Sequence, residues 1–158
     1  MAQEKLTFEQ FLEGVDAQWQ TFTQELHNYL LDNGCKAIFE AKKTGLLGSY
    51  KYNKRAVINL LRKKHGLLVR IYGENLNGYR DFLNTLTAEM VQSINGASIC
   101  KRIVNNTCSP KCTGYDFTIG NEHFQKCRYN CFEFLVTKES APFIRSFVEY
   151  ELKERTAA

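Results

Sequence analysis

The sequence predicts an α+β domain, an antiparallel sheet with helices packed mainly on one side. Three observations carry this. Apolar residues recur at helical spacing over residues 7–33 and again over 79–95 and 141–154. Between these stretches lie short segments rich in β-formers, punctuated by turn residues. The strands also come in consecutive runs instead of alternating singly with helices, which disfavours a parallel sheet. A chain of 158 residues, 44% of them hydrophobic, is long and apolar enough to fold around one core. No repeat or linker divides it, so a single domain is expected over residues 1–158.

The elements follow in order. Thr7 and Gln10 form a T-x-x-Q capping box, and Phe8, Phe11, Leu12, Val15, Trp19, Phe22, Leu26 and Leu30 then fall on one helical face. Gly14 breaks this helix into two pieces, the second capped by Asp16, and Asn33-Gly34 stops it. Strands are expected at Lys36–Lys42, Leu47–Tyr52, Arg55–Arg62 and Leu67–Tyr72, with turns at Thr44-Gly45, Gly48-Ser49 and His65-Gly66. Helix returns with Tyr79, Phe82, Leu83 and Leu86, and Thr87 recaps a second piece carrying Met90, Val91 and Ile94. A loop over Cys100–Gly114 leads to strands around Tyr115–Ile119, Glu122–Cys127 and Cys131–Val136. Ser140 caps a last helix over about 141–154, with Pro142 in its first turn. His27 is placed at the rim of the first helix and His65 in its turn.

The N-terminal helix, the segment Arg62-Lys63-Lys64-His65-Gly66-Leu67-Leu68-Val69-Arg70-Ile71, and the late hairpin followed by a helix resemble in layout the YdhG-like bacterial domains of unknown function. That resemblance implies a small cytosolic α+β domain and carries over no active-site residue. The cysteine-bearing segment departs from the layout.

Five of the six cysteines fall between residues 100 and 131, and Cys108/Cys112 and Cys127/Cys131 are two C-x3-C pairs. Structural zinc sites use C-x2-C to C-x4-C spacing, so this pattern is compatible. Gly120-Asn121 reads as a two-residue hairpin turn, which pairs Phe117 with Phe124 and Asp116 with Gln125 and brings Cys112 toward Cys127. The expected zinc ligands are Cys100, Cys108, Cys112 and Cys127, with Cys131 as an alternative fourth. Lys101, Arg102, Lys111, Lys126 and Arg128 lie close in sequence, and positive neighbours favour thiolate. Two other readings stand beside zinc: reduced, unliganded thiols, as expected for Cys35, and a thiol-based enzyme or redox protein using Cys112 or Cys127. His123 lies too far along its strand from Cys127 to share a metal with it.

Between Ala41 and Gly73 there is no acidic residue, while that stretch holds nine of the 21 Lys/Arg. Twelve basic residues against 17 acidic ones remain elsewhere, so the net charge of +4 conceals a basic sheet region. Lys54, Arg55, Arg62, Lys63, Lys64 and Arg70, with Tyr50, Tyr52 and Tyr72 interleaved, are the candidate surface for a phosphate ligand or nucleic acid. The alternative is a solvated sheet edge, because strand alternation spreads such charges over both faces.

No Walker loop, G-x-G-x-x-G, H-E-x-x-H or G-x-S-x-G is present, so no catalytic motif is read. No run of apolar residues is long enough to span a membrane, and the first ten residues lack the layout of a secretion signal. The expectation is a small cytoplasmic binding or regulatory domain whose partner is a small ligand or a protein, with a structural zinc site and no catalytic residue assigned.

Overall fold

The computed structural model describes residues 5–100, 114–128 and 130–157. The chain opens with a two-residue strand β1 (Lys5–Leu6), followed by helices α1 (Phe8–Glu13) and α2 (Ala17–Asp32). The capping box forms as read: Thr7 Oγ1 accepts the Gln10 amide at 3.1 Å and Gln10 Oε1 accepts the Thr7 amide at 2.9 Å. Helix breaks at Gly14, resumes after Asp16 and ends before Asn33-Gly34. Then come β2 (Lys36–Lys42), β3 (Gly45–Tyr52), β4 (Arg55–Lys63) and β5 (Gly66–Ile71) as a continuous meander.

After β5 the chain leaves the sheet. It passes through a 3-10 turn (Leu76–Tyr79), α3 (Arg80–Leu83) and α4 (Ala88–Asn95), and later the hairpin β6 (Tyr115–Ile119) and β7 (Glu122–Lys126). It rejoins the sheet at β8 (Glu133–Leu135) and finishes in α5 (Ala141–Ala157). Among the described residues the main sheet has the order β1-β2-β3-β4-β5-β8 and is antiparallel throughout, with β6-β7 a separate pair. The α+β class is therefore as the sequence predicts.

Strand alternation sorts the two sheet faces. Phe39, Tyr50, Ile58, Leu60, Val69, Ile71 and Phe134 turn inward and share one buried core with Leu26 and Leu30 of α2 and Ile144, Phe147, Val148 and Leu152 of α5. Each such side chain contributes about 1.5–3 kcal/mol on burial. Val57 and Ile58 are adjacent yet both fully buried, because a bulge opposite Tyr50/Lys51 adds one residue to β4. On the other face Leu47, Leu61, Leu68 and Leu135 are successive cross-strand partners, and Leu135 is 47% exposed.

Two local expectations are corrected, and one turn is added. Gly48-Ser49 is not a turn: Gly48 sits within β3 beneath the Phe39 ring, where a Cβ would come within 2.7 Å of it. The missed turn is Asn53-Lys54, whose φ values of 48° and 67° are those of a two-residue hairpin loop. His27 is not at the rim but buried, stacked on Phe8 at 3.6 Å, with Nδ1 2.7 Å from the Tyr50 hydroxyl. Burial lowers its pKa, against a smaller upward pull from Glu9. Among the described residues no helix is long and apolar enough to cross a membrane.

Candidate functional site

The excursion between β5 and β8 carries most of the groups of chemical interest. Its hairpin forms in the expected register, with Phe117 opposite Phe124 and Asp116 opposite Gln125. Tyr115, Phe117 and Phe124 are buried on one side, Phe117 and Phe124 stacking at 5.3 Å and Phe117 leaning on Phe132 at 5.3 Å. Lys126 shares that side, and its ammonium donates to the carbonyls of Asn95 at 2.8 Å and Ala97 at 3.0 Å. A cation on these carbonyls at the end of α4 suits the helix C-terminus and fixes the hairpin to it.

The chain before the cysteine-rich loop adds a further contact to β7. Ile99 bridges Lys126, with the Cys100 amide donating to Gln125 O at 2.9 Å and the Cys127 amide to Ser98 O at 2.7 Å. Cys100 is thus opposite Gln125 and Cys127 opposite Ser98, so the two cysteines are diagonal neighbours on one side of the ladder. Gly114 returns directly against Cys100: a Cβ on it would stand 2.1 Å from the Cys100 sulfur. The backbone leaving at Cys100 and the backbone arriving at Gly114 therefore meet at one place, and only glycine permits that approach.

Cys108 and Cys112 lie outside the described residues, so their expected approach to Cys127 does too. Cys100, Cys127 and Cys131 are free thiols. Cys131 is fully buried within the hydrophobic core, and that burial pushes its thiol pKa well up. Cys35 behaves as read, a buried thiol pushed up to about 11 by desolvation. Among the described residues no three His, Cys, Asp or Glu side chains converge as a metal site. The two described cations beside Cys127 are engaged elsewhere: Lys126 on the α4 carbonyls, and Arg128 on Glu74 at 2.6 Å. His123 bonds Asp116, which, with Gln125, holds that exposed carboxyl below its usual range.

A cleft of about 510 Å³ separates the hairpin from the segment 73–80. Arg55, Arg80 and Arg128 line it, with Glu74 bridging Arg128 and Arg55, the latter at 3.0 Å. The guanidinium of Arg128 also lies over the Tyr72 ring at 5.0 Å. Behind the cleft, Glu151 of α5 is completely buried and accepts four hydrogen bonds. They come from the Asn75 amide at 3.1 Å, Asn75 Nδ2 at 2.8 Å, the Tyr79 hydroxyl, and Arg155 Nε at 2.7 Å. Arg155 in turn donates to Tyr72 O at 2.8 Å. This network holds the 73–80 wall against the C-terminal helix.

The six candidate anion-binding residues of the basic stretch do not form one surface. Arg62 and Lys63 are adjacent in β4 and so point to opposite faces. Lys54 and Lys64 stand in turns at opposite ends of the meander. Arg55 pairs with Glu74, and Arg70 with Glu133 at 2.8 Å. Tyr50 and Tyr72 are buried, which removes two of the three expected stacking rings. Alternation has divided the charges, although β4 and β5 are interior strands and not a sheet edge. Sequence reading missed Arg80, Glu74 and Glu151, since nothing in their local sequence marks them; only the tertiary fold assembles them. Comparison of the chain with family models, with curated proteins and with solved structures finds no match, so any functional reading rests on these residues.

Proposed function

We propose that the chain is a small intracellular binding or regulatory domain whose cysteine-bearing hairpin is crosslinked by a structural zinc ion. Cys100, Cys108, Cys112 and Cys127 are its ligands. The observation that carries this is the meeting of Cys100, Cys127 and Gly114. Diagonal partners on a ladder have backbones about 7–8 Å apart, longer than the roughly 5.5–6 Å between Cα atoms that a disulfide prefers. A tetrahedral metal with sulfur bonds of about 2.3 Å spans that separation. Cys112 is two residues from Gly114 in the sequence and is taken as the third ligand. Cys108 joins through its C-x3-C spacing. Cys131 is left out because its side chain is packed in the core.

The ion's role is mechanical. It ties both ends of the 101–113 segment to the hairpin, and the hairpin forms one wall of the cleft. A thiol-enzyme reading has less support: Lys126 and Arg128, which would have activated Cys127, are bonded to other groups.

Cobalt(II) added to reduced, metal-free protein tests the assignment. A thiolate site is expected to give sulfur-to-metal charge transfer and intense tetrahedral ligand-field bands. Cys100→Ser or Cys127→Ser should alter or abolish them, and Cys131→Ala should leave them intact. A spectrum without charge transfer, or one indifferent to Cys100 and Cys127, contradicts it.

A further inference from the structure

We propose that the cleft between the hairpin and segment 73–80 binds a small molecule through a phosphate or carboxylate group, received by Arg80 and Arg128. The inference extends the binding-domain reading; no donor of the site is a proposed zinc ligand, although the hairpin wall is the one the zinc is proposed to hold.

The cleft holds unspent hydrogen-bond donors. Three guanidinium groups face a cleft of about 510 Å³, within the range of small-molecule sites. Its two carboxylates are already engaged: Glu74 by Arg55 and Arg128, Asp116 by His123 and Gln125. Glu74 can offset only one of the two arginines it holds. Arg80 is exposed and makes no ion pair or hydrogen bond to another described residue, although it lines the same space. The guanidinium group has donors and no acceptor, and its planar fork matches an oxyanion in bidentate fashion. An incoming cation would find no free carboxylate here.

The cleft is also preorganised. Glu74 and the Tyr72 ring hold Arg128 in place before any ligand arrives. The wall carrying Arg80 follows directly on the segment pinned by the buried Glu151 through Asn75 and Tyr79. The Tyr115 hydroxyl in the cleft wall is buried beside the Gly73 backbone, which adds a fixed polar group to this wall. A donor fixed as Arg128 is binds at lower entropic cost than a mobile one.

Calorimetric titration of the protein as purified with pyrophosphate and with citrate, at ionic strength held constant with chloride, tests this. At least one probe is expected to bind saturably and to raise the melting temperature by about 3–6 °C at ten times its dissociation constant. Arg80→Gln should weaken that binding about ten-fold or more, while a Lys54→Gln/Lys64→Gln variant, altered outside the cleft, should bind like the parent. The tighter probe identifies the anionic group. No saturable binding of either probe, or equal binding by Arg80→Gln, overturns the proposal. Because zinc content is measured separately, neither result can be mistaken for the other.

Discussion

Glu151→Ala is expected to lower the melting temperature by about 6–20 °C, the largest effect of any single polar substitution in this protein. The carboxylate is completely buried and meets donors from Asn75, Tyr79 and Arg155. Removing it strands the Arg155 guanidinium, whose side chain is only 6% exposed, together with three further donors, the Asn75 amide, Asn75 Nδ2 and the Tyr79 hydroxyl. Breaking one partner of a buried pair costs about 3–5 kcal/mol because the remaining charge is left uncompensated. At this chain length each kcal/mol moves the midpoint by roughly 2–4 °C. Glu151→Gln keeps acceptors for Asn75 or Tyr79 and should fall between the parent and alanine. Replacing Glu151 and Arg155 together by Met should recover only part of the loss, since Asn75 and Tyr79 still lose their acceptor. Thermal unfolding of the four proteins gives the ranking; a Glu151→Ala protein as stable as the parent refutes the network's importance.

Stripping zinc is expected to free the hairpin region and leave the sheet folded. Structural zinc in small domains carries apparent binding free energies of about 10 kcal/mol or more. Here most of the core that the six-stranded sheet shares with α2 and α5 comes from residues far in sequence from Cys100 and Cys127, although Tyr115, Phe117 and Phe124 of the hairpin join it. Loss of the ion should therefore register as local opening. Hydrogen exchange at the Cys100 and Cys127 amides, bonded to Gln125 and Ser98, should accelerate about a hundred-fold or more on chelation. The Leu60 and Val69 amides, at the centre of the sheet, should keep their protection. Equal exchange at all four sites before and after chelation contradicts the crosslink.

The architecture was legible where local rules act alone. The Thr7/Gln10 box, the Gly14 break and the hairpin turn at Gly120-Asn121 each express a short-range preference that tertiary packing did not override. Strand bounds in the meander were right to within a residue or two for the same reason. Gly48 misled because a glycine needed for the close approach of the Phe39 ring looks, in sequence, like one needed for a turn. The two-residue strand β1 is too short to show any period, and exists only because β2 offers it an edge.

The site was less legible. Side-chain alternation decides which lysines and arginines share a face, and the basic stretch was divided by it between Arg62 and Lys63. Glu151 and Asn75, 76 residues apart, show no signal in sequence because their meeting depends on α5 docking beside the β5–α3 connection. Cys100 and Cys127 lie in between. Their C-x3-C surroundings suggested a metal, but it was the Ile99–Lys126 bridge, invisible to pattern reading, that made them neighbours.

Elemental analysis of protein purified without a chelator or a metal-affinity step tests the central claim most directly. About one zinc per chain is expected, falling in Cys100→Ser and Cys127→Ser. Less than about a tenth of an equivalent in the parent protein would contradict it.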